Sequence, residues 1–190
     1  MPRGFGPARI DQWMGQAERL SARTETVDLG FLVAFTTWEA MQARILAIAL
    51  RRQGYSMDVA HEYLGRTIHN DRTSIRANFE VVFLRKPDQL RGLGHGWRRI
   101  EGHRSTRNLF THGLGTADPG ELRERTFEIV SLMKETSWLE STPVPRSLGD
   151  SSEGFMALGP VVSRLKRSAT NGRTVEYLAQ RMRAIRKGAG

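Results

Sequence analysis

Residues 91–113 concentrate the side chains of this chain that can do chemistry. Three of the five histidines, His95, His103 and His112, lie there beside Arg91, Arg98, Arg99, Arg104 and Arg107. The sharpest string is Arg107-Asn108-Leu109-Phe110-Thr111-His112-Gly113. Leu109 and Phe110 are expected to face a core. Gly113 is a natural helix stop, so His112 falls in a last turn, where carbonyl ends favour an imidazolium. Imidazole changes charge near neutral pH, which suits a general acid or base. An arginine a little over one turn earlier can hold a phosphate and stabilise charge developing on it. Together these groups fit phosphodiester cleavage without a metal.

The spacing carries a geometric condition. Positions five apart lie about 140° apart around an ideal helix. Convergence on one phosphate then requires the helix to loosen at its end, or a second protomer to complete the site across a two-fold axis. Arg98 and His103 repeat the spacing without the asparagine, ahead of an Arg104-led stretch expected to continue the helix. The full Arg-Asn-x-x-x-His-Gly string is therefore the more specific signal. Gly92, Gly94 and Gly96 lack the preceding strand and the Gly-Lys-Ser/Thr ending of a phosphate loop, and read instead as a break between helices. His61, with Asp58 and Glu62, lacks the spacing of a metal site. No metal and no cofactor is expected. Glu39 interrupts an apolar stripe and needs a partner there, for which Arg107 and His112 are the candidates.

The elements that must position these groups are helical. Phe31, Phe35, Trp38, Met41, Ile45 and Ile48 recur at steps of three and four, which predicts one long helix over Val27 to Leu50. Ile10, Trp13, Met14, Ala17 and Leu20 predict a shorter one before it. Gly54 ends the long helix after a basic last turn. Ser56 caps a third helix with Val59, Tyr63, Leu64 and Ile68 inward. Thr73 or Ser74 caps a fourth that Pro87 ends, and His69-Asn70-Asp71 is the turn between them. Asp118-Pro119 opens a helix carrying Leu122, Phe127, Ile129, Val130, Met133 and Trp138. Trp38, Trp97 and Trp138 are expected in the core, with Trp97 the one best placed to stack a base, since Arg98-Arg99 follow it. No stretch alternates cleanly enough to demand a sheet. The expected architecture is all-α: a bundle of about five helices over residues 1–140, a linker or irregular loop at 141–157, and a basic helical segment at 158–190. That last segment reads as a solvated tail, a nucleic-acid-gripping arm, or a surface for a partner.

Composition narrows the partners. The 190 residues carry 29 Lys+Arg against 20 Asp+Glu, a formal charge of +9. Twenty-five of the 29 are arginine, whose planar fork matches phosphate. An acidic partner follows, RNA or DNA first among them, although an arginine-rich codon bias gives the same composition. Cysteine is absent, which excludes disulfides, cysteine-ligated zinc or iron–sulfur centres and a thiol nucleophile. The start shows no apolar run after its basic residue, and Glu39, Gln42 and Arg44 break the most apolar stretch. A cytoplasmic protein without a membrane span is the expectation.

At Arg107, Asn108, His112 and Gly113 the chain resembles the HEPN superfamily of helical domains, whose pattern is Arg, four to six residues, then His, often with a polar residue after the Arg. The apolar helix around Phe35-Thr36-Thr37-Trp38-Glu39-Ala40 looks like the long early helix of such domains. The likeness in architecture covers residues 25–140, and in motif only 107–113. It implies a metal-independent endoribonuclease that forms its active site as a homodimer, of the kind that serves as a toxin or an anti-phage defence effector. His112 would deprotonate the 2′-hydroxyl or protonate the leaving oxygen, Arg107 would bind the scissile phosphate, and Asn108 would orient them. Arg98, Arg99 and Arg104, with Trp97, would hold the RNA substrate. In toxins paired with a nucleotidyltransferase antitoxin, a tyrosine stands two residues after the histidine. Here that residue is Leu114, so an antitoxin or defence-system partner of another kind is implied. Two other readings stay open: a catalytically silent HEPN-like module for RNA binding or protein assembly, and an unrelated helical regulator.

Overall fold

The computed structural model describes residues 7–68, 72–113, 117–146, 154–159 and 180. Those residues are predominantly helical: α1 (Pro7–Ser21), α2 (Val27–Arg52), α3 (Met57–Thr67), α4 (Arg72–Phe83), α5 (Leu93–Glu101), α6 (Arg104–Thr111), α7 (Pro119–Lys134) and α8 (Ser137–Glu140). A two-stranded antiparallel ribbon, β1 (Pro143–Pro145) with β2 (Phe155–Ala157), is the only sheet among them. The expected basic segment at 158–190 lies outside the described residues apart from Leu158, Gly159 and Gln180, as do Leu114 and the turn at His69-Asn70-Asp71.

The chain clusters into two compact units, residues 7–41 with 95–136 and residues 42–94 with 137–159, among those described. In the first, the expected stripe on α2 is buried, with Phe31, Phe35 and Trp38 fully inside. Helix α1 packs along α7, burying Ile10, Met14 and Ala17. Asp118 accepts from the Glu121 backbone N–H at 3.0 Å and Pro119 follows it, so α7 starts as expected. Phe127 departs from expectation and is 44 % exposed. Arg123 Nε, from the neighbouring α7 turn, donates to the Ser21 carbonyl at the end of α1.

In the second unit, α2 ends in two bonds that wrap its last carbonyls. The Gly54 N–H donates to Arg51 O and the Tyr55 N–H to Leu50 O, both at 3.1 Å. Gly54 has a φ of +96°, which a side-chain-bearing residue rarely adopts. The Ser56 hydroxyl accepts from the Val59 N–H at 3.2 Å, a cap of about 1 kcal/mol. Helix α4 begins at Arg72, so Thr73 and Ser74 lie inside it rather than capping it. Nor does Pro87 end α4. The helix stops at Phe83, Leu84 turns left-handed at φ 60°, and Pro87 opens a separate 3-10 turn over Pro87–Gln89.

The expected linker at 141–157 is instead partly structured. Val144 and Leu158 are fully buried, and Gln53 Nε2 donates to both the Val82 and Pro145 carbonyls. Pro143 and Pro145 have no N–H, which hides a strand from propensity yet permits one in a two-stranded ribbon. Trp138 is buried as expected but belongs to α8, because α7 ends at Lys134 and Glu135 is extended.

Residues 24–52 are long and apolar enough to cross a membrane by length and composition, and 61 % of the most apolar window is buried inside the protein. That is the pattern of a core helix.

Candidate active site

All the groups singled out in residues 95–113 fall in the first unit. Gly92, at φ 80°, stands at the expected break between helical elements, whereas Gly94 and Gly96 lie within α5, contrary to expectation. Its buried Trp97 and Ile100 supply packing that outweighs the roughly 1 kcal/mol helix cost of each glycine. A second break follows. The Gly102 N–H donates to Arg98 O and the His103 N–H to Ile100 O, closing α5 before α6 opens at Arg104. The helix that Arg98 and His103 were expected to share is therefore two helices.

Helix α6 is eight residues long and buries none of them fully. Phe110 is half-buried and meets the Phe31 ring at 6.3 Å, whereas Leu109, expected inward, is 49 % exposed. Ser105, Asn108, Leu109 and His112 are all exposed, a spacing of three and four that makes them one outward stripe. The helix stops as expected, with Gly113 at φ 66° and the His112 N–H still bonded to Asn108 O at 3.1 Å. His112 sits at the C-cap, and its ring makes no hydrogen bond or ion pair with another described residue.

Arg107 reaches two ways. Its Nη1 donates to Asn108 Oδ1 and its Nη2 to Glu39 Oε2, each at 3.2 Å. Asn108 in turn lies one turn before His112 on the same stripe. The structure thus brings Arg107, Asn108 and Glu39 together, and places His112 one turn along the same helix without a side-chain hydrogen bond to them. Of the partners expected for Glu39, Arg107 is correct and His112 is not.

Arg104 is the hub beneath. Its Nε donates to Glu101 Oε2 at 2.6 Å, its Nη2 to Glu101 Oε1 at 3.0 Å, and its Nη1 to Glu39 Oε1 at 3.2 Å. Its guanidinium also lies over the Phe35 ring, 5.1 Å from the centroid. Glu101 is buried and takes a further bond from Trp38 Nε1 at 2.9 Å. Burial alone would lower the Arg104 pKa, but the hydrogen bonds and charges of Glu101 and Glu39 outweigh it and raise the value. Arg104 is thus held inside a network of carboxylates, its side chain 16 % exposed.

Trp97 departs from expectation. It is 2 % exposed and meets Trp38 edge to face, with centroids 5.7 Å apart, so no base can stack on it in this arrangement. Arg98 and Arg99 are exposed. Arg99 pairs with Glu128 through Nε at 2.9 Å and Nη2 at 2.8 Å. His103 Nε2 lies 2.9 Å from the other oxygen of the same carboxylate. Burial pushes the Glu128 carboxyl up, but the bonds from His103 and Arg99 prevail and hold it below its ordinary range.

Sequence reasoning missed Glu101 and Glu128. Glu101 precedes Arg104 by three, a spacing that brings side chains together within a helix. Glu128 is 25 residues from His103, and nothing local announces it. Compared with protein-family models, curated proteins and solved structures, the chain matches none of them.

Proposed function

We propose that the chain is a metal-independent endoribonuclease of the HEPN type, acting through Arg107, Asn108 and His112. The observation that supports this most is the disposition of α6. An imidazole with no hydrogen bond to another described residue stands at the C-cap of a short exposed helix, one turn from Asn108. The guanidinium of Arg107 is held against that same asparagine. In this reading His112 removes the 2′-hydroxyl proton, and the 2′-oxygen attacks the adjacent phosphorus. The P–O5′ bond breaks, leaving a 2′,3′-cyclic phosphate, and a protonated histidine returns a proton to the departing 5′-oxygen. Arg107 stabilises the charge on the non-bridging oxygens.

One helix offers one such histidine. The second is supplied by a two-fold partner whose α6 faces this one, and the exposed Leu109 in the middle of the stripe is the apolar contact for that pairing. Single-stranded RNA is the substrate, with Arg98 and Arg99 along the approach, and the biological setting is a toxin or defence effector restrained by a partner.

A second reading is favoured by one observation. Glu39 and Glu101 already neutralise Arg104, and Glu39 also pairs with Arg107, which suits a silent module that binds RNA or assembles with a partner. Cleavage of labelled single-stranded RNA in excess chelator separates the two. Wild type yields fragments ending in 2′,3′-cyclic phosphate, and His112→Ala and Arg107→Ala yield none while staying folded. Absence of cleavage in all three, with RNA still bound, leaves the silent module.

A further inference from the structure

The Glu39 carboxylate is shared between two guanidinium groups that are anchored elsewhere. Oε1 accepts from Arg104 Nη1 and Oε2 from Arg107 Nη2, both at 3.2 Å. Arg104 is fixed by its paired bonds to Glu101 at 2.6 and 3.0 Å and by the Phe35 ring. Arg107 is steadied by Asn108. Charge-assisted N–H to carboxylate bonds ordinarily run at about 2.7–2.9 Å, so Glu39 is the loosely held member. It is also the most open, its side chain 30 % exposed against 16 % for Arg104, 24 % for Arg107 and 5 % for Glu101. Two donors from separate arginines therefore converge on the two oxygens of one displaceable anion.

A phosphodiester offers the same acceptor set, two non-bridging oxygens carrying one shared negative charge. We propose that Arg104 Nη1 and Arg107 Nη2 form a two-arginine seat for an RNA backbone phosphate, and that Glu39 is its resident competitor, displaced when the phosphate enters. The identity of the ligand as RNA rests on the ribonuclease reading above. The competitor role is a property of the seat itself. It makes Glu39 a brake: each binding event must first swing a carboxylate out to solvent.

The test is Glu39→Gln, which keeps the shape and removes the charge. Binding is read with a short single-stranded deoxyoligonucleotide, which has no 2′-hydroxyl and cannot be cleaved by this chemistry. Loss of a competing, partly exposed ion pair corresponds to about two- to fivefold tighter binding, with a steeper salt dependence because one more uncompensated cation meets phosphate. The gain must vanish when Arg107→Ala is added. Unchanged or weaker binding by Glu39→Gln, with helicity intact by circular dichroism, overturns the proposal and makes Glu39 a group that positions the arginines. A gain that persists without Arg107 overturns it too. Inorganic phosphate is run as a separate probe, and phosphate binding as tight as the oligonucleotide would make this a free-anion site and sink the RNA assignment. RNA cleavage measured in parallel keeps the two ideas apart. Tighter oligonucleotide binding with no cleavage by either chain upholds the seat and ends the ribonuclease reading, and cleavage by wild type without tightening does the reverse.

Discussion

Glu101 is the residue on which the site's rigidity can be tested most sharply. Its two oxygens take three bonds, from Trp38 Nε1 and from Arg104 Nε and Nη2, inside the unit. Replacing it by alanine leaves Arg104 with only the longer contact to Glu39 and leaves the Trp38 indole N–H without this acceptor. Removing one partner of a buried ion pair costs about 3–5 kcal/mol, because the other charge stays desolvated. Glu101→Gln is milder: an amide oxygen in place of Oε1 still accepts from Trp38 and Arg104 Nη2, and Glu39 still faces Arg104, while the bond from Arg104 Nε is lost because the amide NH2 cannot accept it. We expect about 2–3 kcal/mol for glutamine, which for a chain of this size is roughly a 5–10 °C fall in Tm.

The assay is urea denaturation followed by tryptophan fluorescence, since Trp38 touches the substituted group directly. A double replacement completes the argument. Glu101→Leu with Arg104→Met removes both charges and fills their space with apolar groups, and should recover most of what Glu101→Leu alone loses. If Glu101→Gln costs under about 0.5 kcal/mol, the range of an ordinary surface change, the network is not what holds α5 to α6. If the double replacement is as unstable as the sum of its parts, the pair is not coupled and the hub reading is wrong.

Two further outcomes follow from other parts of the chain. Gly92 has a φ of +80°, and a Cβ there would sit 2.2 Å from the Trp138 carbonyl oxygen. Gly92→Ala should therefore destabilise its unit by about 2 kcal/mol or more, and wild-type stability in thermal melts would refute the close approach. Glu128 has a depressed pKa when folded, so its pairs add stability above the ordinary carboxylate range, and that contribution is lost as pH falls through the depressed value. Glu128→Gln should be less stable than wild type at neutral pH, with the gap closing in acid, and a gap that is constant in melts across that range would contradict the linkage.

Much of the fold was legible because its signals are local. The α2 stripe from Phe31 to Ile48, the cap at Ser56, the glycine stops at 54 and 113 and the Asp118-Pro119 start each depend on a few neighbouring residues, and each appears as expected. The misreadings share one cause, tertiary packing overriding local preference. Gly94 and Gly96 are helical because Trp97 and Ile100 are buried beside them. Phe127 and Leu109 fit an apolar pattern yet face outward. The ribbon at Pro143–Pro145 is invisible to propensity because proline argues against strand.

The site divides along the same line. Glu39 was legible, since an acid on an apolar stripe of α2 must find a cation, and it found Arg107. The carboxylate partners of Arg104 were not foreseen, because Glu101 acts from the end of another helix, across the Gly102-His103 break. A continuous helix through 98–112 would place Arg104 three residues after Glu101 on one straight face. With the break, α6 starts afresh at Arg104, and both of its arginines meet Glu39 while Asn108 and His112 stay outward. The turn therefore separates two tasks: an inner face that fixes the guanidiniums with carboxylates, and an outer face where the imidazole bonds to no other described residue. The His103 ring is already engaged, its Nε2 2.9 Å from Glu128 Oε2. Of the two Arg-x4-His spacings in this segment, the second is the one whose histidine ring bonds to no other described residue.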